Sequence, residues 1–376
     1  MIRKVRFAII SNDAFSLLNF RAPLLEDIAR RGHQVFALAP GIDATKRKAL
    51  ANIGVEAVEI SLSRTGLNPV RDVTDLLQLR HVLAGLSLDA VLSFAIKPVI
   101  YGTLAAAMAG VPQRYALVAG LGYAFDMRAR ERLPGASIHC VARLLYTLAL
   151  SRAEKVFVQN PDDARELQAM GMVKGDQIVR VNGTGVDLSA WPLLPPANKP
   201  ITFVLAARLL AAKGIVDYVE AAKIIKAKFP EVRFVLLGGV DSNPDAIALA
   251  HIKQWAENKI IEWPGHVDVR PWLAQSGVYV LPSYYREGLP RSIQEAMASG
   301  RPVITADTPG CRETVVEGVN GFFVPPRNPA ALAEAMQKFI DEPSLVSEMG
   351  RQSRRLAEQK FDVRTINAQM IETMGL

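Results

Sequence analysis

Short apolar runs alternate with segments of helical period along the whole chain. Residues 5–10, 34–39, 55–60, 90–94, 115–118 and 155–158 read as strands, and so do 201–207, 233–237, 260–262, 278–281 and 302–306. Helical patterns fall between them, for instance 22–31 and 70–85. Strands of this kind, each followed by a helix, predict an α/β chain built on parallel sheets.

The rhythm breaks once, at Trp191-Pro-Leu-Leu-Pro-Pro-Ala-Asn-Lys-Pro200, where four prolines in ten residues cannot continue a helix or a central strand. The expected organisation is a Rossmann-like domain over 1–190, a stiff linker over 191–200 and a second Rossmann-like domain over 201–360, the two facing across a cleft. Residues 361–376 read as a closing helix. No short repeat or low-complexity tract appears.

A chain of 376 residues, half of them apolar, can bury two sizeable cores. No uncharged apolar stretch reaches the roughly 18 residues of a membrane span, and the nearest, 98–113, is interrupted by proline near both ends. The opening residues have too short an apolar core for a signal peptide and read as a first strand. Cys140 and Cys311 fall in different expected domains, so no disulfide is expected and a reducing cytoplasm is. The net charge of +7 is uneven: 23 Lys and Arg stand against 17 Asp and Glu through Pro195, and 21 against 20 beyond it. A basic first half suits nucleic acid, an anionic membrane surface or an acidic acceptor, or is simply a soluble basic surface.

The densest candidate chemistry lies in Leu281-Pro-Ser-Tyr-Tyr-Arg-Glu287-Gly-Leu-Pro-Arg-Ser-Ile-Gln-Glu295. A buried strand feeds a turn holding Gly288, Leu289 and Pro290. Pro290 suits the first helical position, and Glu295 falls in the helix's second turn. Backbone amides at a helix start suit an anion, whereas carboxylates suit the hydroxyls of a sugar or ribose. Upstream, Ile201-Thr-Phe-Val-Leu-Ala-Ala-Arg208-Leu-Leu-Ala-Ala-Lys213-Gly214 places two cations after a strand, where open α/β sheets bind ligands. Arg208 and Lys213 there could offset charge developing on a departing diphosphate. The pattern describes a site for something both phosphorylated and polyhydroxylated.

Arg208, Lys213-Gly214, Glu287-Gly-Leu-Pro and Glu295 together resemble the donor site of retaining family-4 glycosyltransferases of the GT-B fold. The likeness runs the length of the chain. Phe15-Ser-Leu-Leu-Asn-Phe-Arg21, Gly120-Leu-Gly-Tyr-Ala-Phe125, Val158-Gln-Asn-Pro-Asp162 and Pro309-Gly-Cys-Arg-Glu-Thr314 are similar to the PglA-like and capsular-polysaccharide subgroup, which acts on undecaprenyl-diphosphate-linked acceptors. The resemblance implies a nucleotide-sugar donor, preferably UDP-linked, retention without metal and no cofactor. It places the enzyme at the inner face of the cell membrane, and the closing helix on the first domain.

Other motifs add to the picture. Gly120-Leu-Gly122-Tyr123 begins like a dinucleotide fingerprint, but Phe125 replaces the third glycine, so a close-approach loop or a simple turn reads better. No P-loop sequence occurs. Phe15, Ser16, Asn19 and Arg21 follow the first strand and could hold an acceptor diphosphate, or Ser16 or Asn19 could merely cap a helix. Lys97 holds a similar place after another strand. The segment 126–152, arginines followed by an apolar helix, could lie on anionic lipid or be a buried crossover. Gly238 and Gly239 end a strand where backbone could pass near a nucleotide. By resemblance His266 and Val267 lie in the loop holding the base through its backbone, and Pro309–Thr314 closes the donor site. His33 reads as a packing or capping residue. No metal-ligand spacing and no aromatic-rich basic motif for nucleic acid is present.

The expected activity is transfer of a hexose or N-acetylhexosamine to a lipid-diphosphate-linked saccharide. Arg208 and Lys213 would grip the diphosphate, Glu287 the sugar and Glu295 the ribose. A sugar-nucleotide epimerase of the same shape, or a non-catalytic sugar-nucleotide-binding component of a polysaccharide assembly, stays open on the residues alone.

Overall fold

The computed structural model describes residues 4–63, 68–122, 136–197, 199–241, 243 and 245–376, with the backbone alone for 136–140. Two compact units emerge, Met1–Thr184 with Arg364–Leu376, and Gly185–Val363.

The first unit runs β1 (Arg6–Ile10), α1 (Ala14–Arg30), β2 (Gln34–Ala39), α2 (Ala44–Asn52), β3 (Val55–Glu59), α3 (Pro69–Gly85), β4 (Ala90–Phe94), a π-helical turn (Pro98–Gly102), α4 (Thr103–Met108), β5 (Gln113–Val118), α5 (Ala136–Leu150), β6 (Lys155–Val158), α6 (Pro161–Ala169) and β7 (Ile178–Arg180). Its strands form one parallel sheet in the order β3-β2-β1-β4-β5-β6-β7. Alternation along β1 shows how the sheet feeds two cores. Phe7 and Ile9 join the core shared with α1 and α2, whereas Ala8 and Ile10 join the one shared with α3, α4 and α5.

The second unit runs β8 (Thr202–Ala206), α7 (Ile215–Lys226), β9 (Arg233–Leu237), α8 (Leu249–Glu257), β10 (Glu262–Gly265), α9 (Arg270–Ala274), β11 (Val278–Leu281), α10 (Arg291–Ala298), β12 (Val303–Ala306), β13 (Gly321–Val324), α11 (Pro329–Asp341) and α12 (Ser344–Lys360). Its parallel sheet has the order β10-β9-β8-β11-β12-β13 around a single core. In both sheets the order reverses beside the first strand, between β1 and β4 and between β8 and β11. The crevice outside the carboxyl ends of such strands is where open α/β sheets hold ligands.

Several helices start by one device. Asn68, Asn160 and Asn328 each precede a proline and accept from the amide three residues on, at 3.2, 2.7 and 3.0 Å. The side chain thereby satisfies a donor that helix geometry leaves unpaired, while the proline has none to lose.

Sequence and structure part at four places. α1 begins at Ala14, not at 22, because Asp13 caps it and the helix runs through Pro23. β10 is shifted towards Gly265 with an irregular register, as an edge strand containing Pro264 permits. β7 and β13 join the sheets as unanticipated edge strands. Residues 191–200, read as a linker, pack within the second unit, and the chain crosses between units at Thr184–Gly185. Prolines leave carbonyls without local partners, and arginines supply them: Arg354 Nη1 donates to Trp191 O at 2.8 Å and Arg301 Nη2 to Pro195 O at 2.8 Å.

The last helix, α13 (Val363–Met374), seats Met370, Ile371 and Met374 in the core beside α1. Tyr115 donates from its hydroxyl to Met374 O at 3.0 Å, and Asn367 Nδ2 to Asp27 Oδ2 at 2.8 Å.

Candidate active site

The turns leaving β8 and β11 are stitched together by backbone. The amides of Tyr284 and Tyr285 both donate to Ala212 O at 2.9 Å, and the Ser283 hydroxyl reaches the same oxygen at 3.3 Å. Gly214 makes the approach possible. It adopts φ +75°, and a Cβ there would stand 2.2 Å from Pro282 O.

This stitching brings Lys213 and Glu287 into contact. Lys213 Nζ donates to Glu287 Oε1, each side chain is 12% exposed, and Ser283 Oγ donates to the same carboxylate oxygen at 3.1 Å. The ammonium also lies over the Tyr285 ring, 5.2 Å from its centroid. Gly310 locks the turn from the other side: at φ +80°, a Cβ would stand 2.4 Å from Gly288 O and 2.7 Å from Glu287 O. The neighbouring Thr308 hydroxyl donates to Ser283 O at 2.8 Å.

Glu295 sits in the second turn of α10 and is held by Arg291 one turn earlier, Nε to Oε1 at 2.9 Å. Burial pushes the carboxyl above the usual glutamate range, and Asp268 adds to the rise. Arg291 and Arg270 oppose it without cancelling it. Tyr279, wholly buried under the site, donates to Ala206 O at 2.9 Å. Its phenol is raised by burial first and then by the charges of Glu295 and Glu287, so both carboxylates bear on one point.

Pro290 stands one place earlier than its sequence suggests. It is extended (ψ 116°) and precedes the helix, which starts at Arg291. Leu289 is buried, and Gln294, also buried, spans from Leu289 O at 3.3 Å to the amide of Gly185 at 3.1 Å. The turn Gly288-Leu289-Pro290 is thus held from below.

Arg208 behaves differently from Lys213. Its side chain is 46% exposed and its guanidinium meets Asp241 at 3.2 Å. Asp241 belongs to the loop after β9, which also caps the Arg208–Lys213 turn: Asp245 accepts from the Ala212 amide at 2.9 Å. Gly238 and Gly239 begin that loop. Gly238 adopts φ +154° with Ala207 O 2.0 Å from any Cβ, and Gly239 faces His266, whose Cβ lies 3.3 Å from where another would be. Trp263 Nε1 donates to Gly238 O at 3.0 Å, and His266 and Val267 are exposed beside it.

In the first unit, the other candidates lie after β1, β4 and β5. Phe15 and Asn19, one helical turn apart, are exposed on α1. Ser16 is part of the α1 cap, its amide and hydroxyl donating to Asp13 at 2.6 and 2.8 Å. Arg21 is buried with its guanidinium 4.4 Å from the Phe94 ring centroid. Lys97 departs from the expectation of an open acceptor cation: Nζ meets Asp72 Oδ1 at 2.8 Å and Ser63 Oγ at 2.5 Å, with the side chain 11% exposed. Gly120 and Gly122 take φ +96° and +60° and are buried. Tyr123 and the arginines of 126–132 lie outside the described residues. His33 is buried and accepts from the Val5 amide at 3.2 Å. Among the described residues, no group of three His, Cys, Asp or Glu could hold a metal ion, and no helix is long and apolar enough to cross a membrane.

Sequence reading missed Asp241, Arg291 and Tyr279. Only Arg291 carried a signal, its four-residue spacing from Glu295 on a helix.

Two family models match the chain. Residues 200–342 match the family described as glycosyl transferases group 1, and residues 21–183 match the glycosyl transferase 4-like domain. The chain is 29% identical over 356 residues, 91% of each protein, to the N,N'-diacetylbacillosaminyl-diphospho-undecaprenol alpha-1,3-N-acetylgalactosaminyltransferase of Campylobacter jejuni. It is 30% identical over 219 residues, 55% of this chain and 53% of the other, to a putative colanic acid biosynthesis glycosyltransferase, WcaL, of Salmonella typhimurium. Among solved structures, HepE of Anabaena in complex with UDP superposes with a TM-score of 0.75 over 99% of both chains at 18% identity, a likeness of fold.

Proposed function

The chain belongs to the group 1 glycosyltransferases of GT-B fold, and we propose that it transfers a hexose or N-acetylhexosamine from a UDP-linked donor, with retention and without metal, to a hydroxyl of a lipid-diphosphate-linked saccharide. The observation that carries this reading is the closure of Lys213 on Glu287 at the β8–β11 reversal, with Glu295 on the helix that follows the same turn. Cations for a diphosphate and carboxylates for hydroxyls share one site.

In the proposed reaction the bond from C1 to the diphosphate breaks with its electron pair leaving on phosphate oxygen. Arg208 and Lys213 balance that charge. The acceptor oxygen bonds to C1 and its proton departs with the diphosphate. Glu287 holds sugar hydroxyls and Glu295 those of the ribose. Because both carboxylates serve the donor, they are not the acid–base pair of a glycosidase. The backbone around Gly238, Gly239, His266 and Val267 borders the base, and Gly288, Leu289 and Pro290 the phosphates. Phe15, Ser16, Asn19, Gly120 and Gly122 belong to the acceptor side in this reading, whereas Lys97 and Arg21 shape it from within. A lipid-linked acceptor also brings the enzyme to the inner membrane face as a peripheral protein. The resemblance to the lipid-linked N-acetylgalactosaminyltransferase over 91% of both chains supports the acceptor class.

A panel of UDP-sugars, incubated with the full chain and bacterial membrane extract and scored by product mass, tests the reading. One sugar should appear on a lipid-linked product with release of UDP. Epimer formation or UDP release without any acceptor would establish the epimerase instead. Donor binding without turnover would establish the binding component.

A further inference from the structure

Among the described residues, four other than glycine are left-handed: Ser87 (φ +47°), Ala95 (+79°), Lys259 (+55°) and Arg327 (+59°). Ser87 and Lys259 directly follow the caps of α3 and α8, where a left-handed residue commonly ends a helix. Ala95 opens the π-helical turn, its carbonyl accepting from the Val99 amide at 2.8 Å. Arg327 has no such local account. It lies between β13 and α11, after Pro325-Pro326 and before the capping Asn328, at the carboxyl end of the second sheet. Glycine or asparagine takes this conformation at lower cost, so the reason for an arginine lies in its side chain.

That side chain lies on Tyr284. The guanidinium carbon stands 4.4 Å from the ring centroid, although Arg327 itself is exposed. Burial raises the Tyr284 phenol, the Arg327 charge opposes the rise, and Asp245 and Asp217 add to it. Burial also raises Asp217, again opposed by Arg327, and Asp217 Oδ2 has no hydrogen-bond partner among the described residues. One guanidinium thus faces a ring from the turn after β11 and a carboxylate from the first turn of α7. Tyr284 is placed to pass this hold on. Its amide donates to Ala212 O at 2.9 Å. Ser283 before it donates to Glu287 Oε1 at 3.1 Å, and the Tyr285 ring after it lies 5.2 Å from Lys213 Nζ.

We propose that Arg327 is a positioning residue for sugar transfer: through the Tyr284 ring it clamps the 283–287 turn, and so holds Glu287 in register with Lys213. The clamp makes use of a backbone conformation that costs stability, as groups serving a site often do. The link to transfer rests on the activity proposed above, whereas the clamp does not.

The test separates stability from turnover in the full chain. Arg327→Gly and Arg327→Asn remove the guanidinium but suit the left-handed angle, so the relieved backbone should offset the lost stack and the parent's thermal midpoint should be kept. Donor-saturated kcat should nevertheless fall by about tenfold. UDP, which carries no sugar for Glu287 to hold, should bind as it does to the parent. Arg327→Lys restores a cation over the ring and should recover part of the loss. Tyr284→Leu should lower kcat as Arg327→Gly does, and the double variant should be no worse than Tyr284→Leu alone. Lys259→Gly, the same relief at a helix end, is the control and should leave turnover unchanged. Turnover of Arg327→Gly at the parent rate overturns the proposal. So do losses that multiply in the double variant, or a thermal midpoint that falls together with kcat, which would make Arg327 an ordinary structural residue. If the parent itself transfers no sugar, the proposed function fails, and amide exchange still decides the clamp. Exchange at Tyr284 and Tyr285 accelerated by about tenfold in Arg327→Gly supports it, and unchanged exchange there overturns it.

Discussion

Lys213 and Glu287 close an ion pair between the turns that follow β8 and β11, and each is shielded to 12% exposure. Two opposite charges from neighbouring strands thereby neutralise each other at the position where a diphosphate and a sugar are proposed to bind. The pair couples folding to catalysis, and the two can be separated. Lys213→Met or Glu287→Met alone strands a shielded charge and should cost about 2–3 kcal/mol of unfolding free energy. The double variant should cost clearly less than the two singles combined. Turnover should fall by on the order of 100-fold or more in all three. Denaturant unfolding with donor-saturated rates checks both halves, and additive stability losses would mean the charges do not meet.

Arg208 makes the contrasting case. Its pair with Asp241 is half exposed, and such pairs contribute roughly 0–1 kcal/mol. Arg208→Ala should therefore leave the thermal midpoint nearly unchanged and lower kcat by on the order of 100-fold. Asp241→Asn frees the guanidinium for phosphate, so UDP should bind about two- to fivefold more tightly, with the gain shrinking as salt screens it. Calorimetric titration at two salt concentrations decides the point.

What could be read beforehand followed from burial. A strand such as β11, buried on both faces, announces itself as an unbroken run. β7 and β13 do not, because an edge strand of three or four residues carries little pattern. α1 misled through Pro23, which reads as a helix start but sits inside a helix already capped by Asp13. The run 191–200 misled in the opposite sense: its prolines imply a boundary, yet Leu193 packs against Gly300 and two arginines hold its carbonyls. At the site, Lys213, Glu287 and Glu295 were legible because each follows a strand end. Asp241 was not, since its partner lies 33 residues away with no spacing rule to connect them. Lys97 looked open for the same reason, as Asp72 reaches it only through the fold of α3.

Gly310 offers a test of the site's scaffold. Its Cβ would meet the carbonyls of Glu287 and Gly288, which are backbone and cannot swing aside, and its φ of +80° disfavours any L side chain. Gly310→Ala should cost about 1–3 kcal/mol of stability and weaken UDP binding by pushing the Glu287–Pro290 turn away from the phosphates. Gly318, also at positive φ (+72°) but with open space around it, is the control. Gly318→Ala should show a backbone penalty of about 1 kcal/mol without loss of UDP affinity.

Cys311 reports on integrity of the same loop. It is buried, and burial first, then the Glu287 charge, pushes its thiol up to about 12. A thiolate is the reactive form, so in a Cys140→Ser background thiol reagents should modify Cys311 only as fast as the second unit opens. Rapid modification at neutral pH in the folded protein would contradict the burial, and protection that increases with UDP would tie the loop to donor binding.

Arg291 is a positioning residue for Glu295, and pH distinguishes that role from a general structural one. The Glu295 carboxyl is raised above its ordinary range by burial, and the Arg291 guanidinium beside it is the main charge holding it down. Only the ionised form accepts from two ribose hydroxyls, so UDP affinity should decline as pH falls through that raised pKa. Removing the guanidinium lets the carboxyl rise further, and the acid limb of the affinity profile should move to higher pH in Arg291→Gln. Affinity at alkaline pH should then recover towards the parent value. The sign for stability is fixed by the same shift: a carboxyl whose pKa is higher folded than unfolded favours the native state below the unfolded value, and this contribution is lost as pH rises through the folded one. Arg291→Gln widens that window upward, so the variant should lose stability relative to the parent most clearly at neutral and alkaline pH. UDP titrations and thermal midpoints across acid to alkaline buffers measure both effects, and an unmoved acid limb would remove Arg291 from any role in tuning Glu295.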